Sequence, residues 1–338
     1  MIEAVPGRAS GVGSWPGEDV DDTMRTTFGE LAEPHVPYLP ELPARGPGSD
    51  LIGRAAAILV DLPVDLQPSG WRLVDRPGRD LSRARAWLRQ DLDVLAEVAD
   101  GYEGPLKIQF CGPWTLAAGI YLPRLERAVV DAGATRDLGV SLAEGIAQEV
   151  GEVRRLVPGA QVVVQLDEPS LPGVLTGTLP TASGFGRLRA VDEQTVTDGL
   201  AAVLETVAAS GTAGTLVHCC ADAAPIDVLA RSGADGLSLD VGRLGRVGWE
   251  AVGTVVEGGT ALWAGVVPTS GQIPSTGAAA DSVWSRWRTL GLDASRLSAV
   301  VLTPACGLAT TTPADARARL ARAKQAASAL AERAADAA

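Results

Sequence analysis

The sequence predicts an α/β fold, a single (β/α)8 TIM barrel with an excursion after its second strand. Three observations predict it. Eight short apolar, β-branched runs recur along the 338 residues, amphipathic helical segments lie between them, and most runs are continuously apolar, as parallel strands covered on both faces are. Alternation through eight strands is a barrel pattern, since an open doubly wound sheet more often stops at five or six. The length suits one large domain, 1–338, with no internal repeat or linker.

The expected strands are ASGVGS (9–14), HVPYLPE (35–41), PLKIQF (105–110), QVVVQLDE (161–168), GTLVHC (214–219), DGLSLDV (235–241), ALWAGVV (261–267) and LSAVVLT (297–303). The Ala/Leu/Arg/Glu-rich stretches 80–100, 123–156, 193–209, 224–232, 277–290 and 313–335 read as helices. Residues 42–80, rich in Pro and Gly, are too long for a plain βα loop. They read as an excursion over the barrel mouth, with a helix near 50–60 and a hairpin near 71–76. The Ala-rich tail after Lys324 is expected to fray.

Composition excludes several functions. The formal net charge is −12, the pI is near 4.7 and no Lys/Arg run interrupts the acidic balance, so nucleic acid and anionic membranes are poor partners. A small-molecule substrate is the expectation. No apolar run approaches the roughly 18 residues of a membrane span and the start is not that of a signal peptide, so a cytoplasmic location is expected. Four Cys, two of them adjacent, make no disulfide framework and fit reduced thiols.

Catalytic groups of such barrels sit at the C-terminal ends of the strands. There the sequence places Ser14, Glu41, Cys111, Asp167, His218 with Cys220, Asp240, and Cys306 just after the eighth run. Residues i and i+2 of a strand face the same way, so His218 and Cys220 point together into the mouth while Cys219 points to the helices. With Asp240 and Cys306 they make an N/S/S/O set, which suits zinc. The bland alternative is that these Cys are small core residues, and Cys111 and Cys219 are read that way.

These residues also carry a resemblance. GVGSWP (11–16), GPWTLA (112–117), QLDEPSL (165–171), HCC (218–220) and PACGL (304–308) occur in the order of similar segments in cobalamin-independent methionine synthase. Over essentially its whole length the chain resembles the C-terminal catalytic barrel of that family, within the uroporphyrinogen decarboxylase-like superfamily. The resemblance implies Zn2+ at His218, Cys220 and Cys306 with a carboxylate as fourth ligand, Asp240 standing where the family has Glu. It further implies that Ser14 binds the substrate carboxylate and that Glu41 and Asp167 bind its ammonium. The bland reading of Asp167 is a helix cap before Pro169. The implied reaction is S-methylation of homocysteine to methionine, with no catalytic residue expected beyond the zinc site.

For the methyl donor the sequence departs from the family. After strand seven GVVPTSGQIPS (265–275) lacks the family's His, and the second, N-terminal barrel that helps bind methylfolate is not expected. The chain looks more like short single-barrel members, whose donor is methylcobalamin or a corrinoid protein; methyltetrahydrofolate is the other candidate. Trp15, Trp114 and Trp263 are placed to offer flat surfaces to a planar donor, or to serve as ordinary core. The alternatives are a corrinoid-dependent methyltransferase acting on another thiol, a porphyrin decarboxylase, which the acidic charge disfavours, and a non-catalytic zinc-binding barrel.

Overall fold

Six of the eight apolar runs form one parallel sheet, and their order in the chain is their order in space. A computed structural model describes residues 3–124 and 126–337. A hairpin, β1 (Val64–Gln67) and β2 (Gly70–Leu73), precedes the sheet strands β3 (Gly104–Cys111), β4 (Ala160–Asp167), β5 (Gly214–Cys219), β6 (Gly236–Asp240), β7 (Ala261–Val267) and β8 (Val301–Pro304). The helices are α1 (Val20–Glu30), α2 (Leu51–Ile58), α3 (Arg79–Val98), α4 (Pro113–Gly119), α5 (Ala132–Leu156), α6 (Leu171–Thr176), α7 (Glu193–Ala209), α8 (Ile226–Arg231), α9 (Arg246–Glu257), α10 (Thr276–Leu290) and α11 (Pro313–Ala337). Asp19, Asp50, Asp131, Asp192 and Ser275 cap α1, α2, α5, α7 and α10, each accepting from a first-turn N–H that the helix leaves unpaired.

The expected eight-strand sheet is seen only in part: 9–14 and 35–41 are not regular strands. They lie between β8 and β3, joined by the isolated parallel bridges Ala9↔Leu302, Ser10↔Val36, Ser14↔Glu41 and Tyr38↔Lys107. Proline explains the second segment, because Pro37 and Pro40 have no N–H and interrupt any ladder. In the first, the Val12 carbonyl accepts from the side chains of Lys107 and Gln165 instead of from a neighbouring strand. Gly11 and Gly13 let this segment pack closely, since a Cβ on Gly11 would run into Tyr38 and one on Gly13 would lie 2.8 Å from Gln109 Cγ.

Other differences are local. The eighth strand begins only at Val301, after a 3-10 turn over Ala294–Ala299. The tail, expected to fray, is helical: α11 runs to Ala337 and buries Ala326, Ala327 and Leu330. The excursion holds α2 and the hairpin, which sits a few residues earlier than expected. Helices α1, α4, α6 and α9 were not anticipated. Among the described residues no helix is long and apolar enough to cross a membrane.

The sheet's two faces differ in kind. Outward residues join the helices in the main core, whereas Val36, Val163, Leu216, Trp263 and Val301 form a separate apolar plug. Pairing of Lys107 with Val163, Gln109 with Gln165, Asp167 with His218 and His218 with Ser238 puts a buried polar layer on that inner face. The candidate site stands on this layer.

Candidate active site and metal-binding cluster

His218 faces inward near the end of β5, and Cys220 follows the strand; Cys306 lies two residues beyond β8. One ligand atom from each lies within 4.8 Å of the others, and the two sulfurs are 2.6 Å apart. His218 Nδ1 meets Ser238 Oγ at 2.9 Å, which leaves Nε2 buried and, among the described residues, without a hydrogen-bond partner. A ring oriented through one nitrogen with the other bare is how a ligating histidine is held. Cys219 points the other way into the main core, and Cys111 is fully buried, as expected for packing residues.

The protons in the cluster tell the same story. Cys306 is held down at about 4, because the Cys220 thiol donates to it and His218 stands beside it. Cys220 is correspondingly pushed up by that hydrogen bond and by burial. Burial alone would lower His218, but the Cys306 sulfur and the Asp167 carboxylate outweigh it and raise it. The group thus holds protons that a divalent cation would displace, and its nitrogen and two sulfurs fit zinc.

Asp240, expected as a fourth ligand, is not brought into this cluster. Its Oδ1 accepts from Gly242 N–H at 3.0 Å and its Oδ2 from Arg243 Nε at 3.0 Å, and Arg243 also pairs with Asp222. It does line, with Cys220, Cys306, Thr269 and Ser270, a cavity of ≈ 520 Å³ beside the cluster.

The three expected substrate-binding residues lie on neighbouring segments, Ser14 beside Glu41 and Asp167 beside His218. Ser14 bridges to Glu41, and its carbonyl accepts from Leu308 N–H at 2.8 Å, which brings it against the loop carrying Cys306. A Cβ on Gly307 would run into Ser14 Oγ, so glycine at 307 is what admits that hydroxyl. Glu41 is buried, with Oε1 3.5 Å from Arg54 Nε, and burial raises its carboxyl although Arg54 pulls it down. Asp167 is the register neighbour of His218, accepts from Gln165 Nε2 at 2.7 Å, and is pushed up to about 7 by burial. Among the described residues no side chain caps α6, the helix after Pro169, while the neighbouring Glu168 accepts from Trp114 N–H at 2.9 Å and Thr115 N–H at 2.8 Å at the start of α4.

Several functional neighbours escaped the sequence reading. Lys107, Gln109 and Gln165 support the site from below, and a signal for them existed: Lys107 with Gln109, and Gln165 with Asp167, are polar pairs at strand spacing inside apolar runs. Arg54 had none. It lies in a helix of the excursion and is buried against Glu41 and Asp91. The stacking role for the tryptophans does not hold, because Trp15, Trp114 and Trp263 are 1%, 4% and 2% exposed.

A family model described as "Cobalamin-independent synthase, Catalytic domain" matches residues 126–329, more than half of the chain, including Asp167, His218, Cys220, Asp240 and Cys306. The fold is similar to that of a B12-independent methionine synthase from Shewanella sp. W3-18-1, in complex with selenomethionine. The TM-score is 0.60 at 12% identity, over 98% of this chain and 99% of that one. It is also similar to a methyltransferase from Methanosarcina mazei, with TM-score 0.58 and 17% identity over 98% and 95% of the two chains. At these identities the likeness speaks for the fold alone. No curated protein matches. The chain therefore belongs to the cobalamin-independent synthase family through its catalytic domain, which places it among methyltransferase enzymes.

Proposed function

We propose that the protein is a zinc-dependent methyltransferase that converts homocysteine to methionine, and that 9–14 and 36–41 serve as the first two staves of its eight-stave barrel. The observation that carries the reading is the bare, buried His218 Nε2 facing two free sulfurs, with Asp167 as its register neighbour and Ser14 against the loop of Cys306. His218, Cys220 and Cys306 would hold the zinc ion. When bound, zinc keeps a substrate thiol deprotonated and so nucleophilic near neutral pH.

The chain's own residues do the rest. Ser14 offers a hydroxyl to the substrate carboxylate, and Glu41 and Asp167 receive the ammonium, fixing the sulfur end toward the cluster. Burial raises both carboxyls, so an incoming cation is the partner that stabilises their charged forms. Ser238 keeps the His218 ring in place.

What lines the neighbouring cavity supports one donor over the other. Its ionisable groups among the described residues are Cys220, Cys306, Asp240 and Arg243, and residues 265–275 carry no histidine. Releasing a methyl group from a folate amine requires a proton on that amine, whereas a corrinoid leaves without one. The donor is accordingly a methylated corrinoid. The test is methionine formation by zinc-loaded protein with homocysteine, run with methylcobalamin and with methyltetrahydrofolate polyglutamate. Turnover with methylcobalamin alone is expected; turnover with the folate alone would refute the donor, and silence with both would refute the activity.

A further inference from the structure

We infer that Lys107 is a positioning residue for the amino-acid end of the substrate, acting through the Val12 carbonyl, Gln109 and Gln165. The inference rests on the reading that Ser14, Glu41 and Asp167 hold that end.

Lys107 lies on the inner face of β3 and has no exposed surface. An ammonium so placed has to be compensated by acceptors or charges. Its Nζ donates to Val12 O at 2.7 Å and to Gln109 Oε1 at 3.1 Å, and it stands 5.3 Å from the centre of the Tyr38 ring. None of these partners is a carboxylate; burial lowers its pKa to about 7, with Asp167 and Glu41 pulling the other way.

Each hydrogen bond leads to the pocket. Val12 precedes Ser14 by two residues on a segment that pairs only through isolated bridges, so its carbonyl anchors a stretch no regular ladder holds. The same oxygen accepts from Gln165 Nε2 at 2.9 Å, and that amide also donates to Asp167 Oδ1 at 2.7 Å. Gln109 Nε2 in turn donates to Leu39 O at 2.6 Å, two residues before Glu41. A purely structural lysine would need only to be neutralised. This one ties together the three backbone stretches that carry the hydroxyl and both carboxylates. It fixes their spacing before substrate arrives, which lowers the ordering cost of binding.

The test is calorimetric titration of L-methionine into the full chain and into Lys107→Met, which keeps the length of the side chain and loses its charge and donors, with zinc affinity measured in parallel by chelator competition. The expected result is a loss of methionine affinity of about 10- to 100-fold, the scale of a hydrogen bond to a charged group. Zinc affinity should stay within about twofold, and KM for homocysteine should rise with little change in kcat. Gln165→Met, which keeps the Lys107 ammonium but cuts its route to Asp167, should show the same selective loss and carries the test if Lys107→Met does not fold. Methionine binding that is unchanged in folded variants, or that falls in step with zinc affinity, would overturn the inference. A wild-type protein that binds zinc but no methionine would overturn it differently, by removing the amino-acid pocket on which it rests.

Discussion

Adjacent carboxylates in the QLDEP stretch should fail in opposite ways when removed. Glu168 is fully buried; its Oε1 accepts from Trp114 N–H, and its Oε2 from both the N–H and, at 2.7 Å, the hydroxyl of Thr115. Glu168→Ala strips two backbone donors at the first turn of α4 of their acceptor, in a place where they are sealed from water. Each buried donor so orphaned costs about 1–3 kcal/mol. Two give about 2–6 kcal/mol, and the desolvation that pushes the Glu168 carboxyl up to about 7 offsets part of this. A net loss of about 3 kcal/mol is expected. Asp167→Asn keeps an oxygen for its one side-chain bond, from Gln165, and should cost under about 1 kcal/mol while weakening methionine binding. Urea denaturation followed by circular dichroism, with calorimetric titration of L-methionine, reads both. Glu168→Ala within about 1 kcal/mol of wild type, or Asp167→Asn as destabilising as Glu168→Ala, would refute the division of roles.

Further outcomes test the remaining parts of the site. Cys220→Ser and Cys306→Ser should each lose bound zinc and methyl transfer together, checked by metal analysis of the purified proteins; activity retained without metal would refute the zinc-thiolate reading. Gly307→Ala, whose new methyl meets Ser14 Oγ, should weaken L-methionine binding about 10-fold, the scale of an overpacking penalty. Burial pushes Glu149 up to about 7 from 4.5, against the pull of Arg54. A carboxyl raised in this way lends stability that is full below pH 4.5 and is lost as the pH rises through about 7. Melting temperatures measured between pH 5 and 8 should therefore fall less steeply in Glu149→Gln than in wild type, and parallel curves would show that Glu149 is not responsible.

The sulfur and nitrogen groups at the strand ends were legible because they are close in the chain: His218 lies in β5 and Cys220 one residue beyond it, so both arrive at the same end of the sheet. Helices with strong amphipathic pattern and caps were legible for the same reason, α7 to the residue at 193–209. Helices such as α4 and α6, of seven and six residues, are too short for periodicity to show.

Taken by itself, the sequence determined the α/β alternation and the meeting of His218 with Cys220 at the end of β5, both of which depend on residue type and spacing along one stretch of chain. Tertiary structure alone decided that the Val12 carbonyl turns to Lys107 and Gln165, that Asp240 accepts from Arg243 and Gly242, and that Glu168 caps α4. Several of these contacts join residues far apart in the chain, and all depend on which polar groups find partners once the sheet's inner face is packed. That competition for hydrogen bonds is settled only in three dimensions.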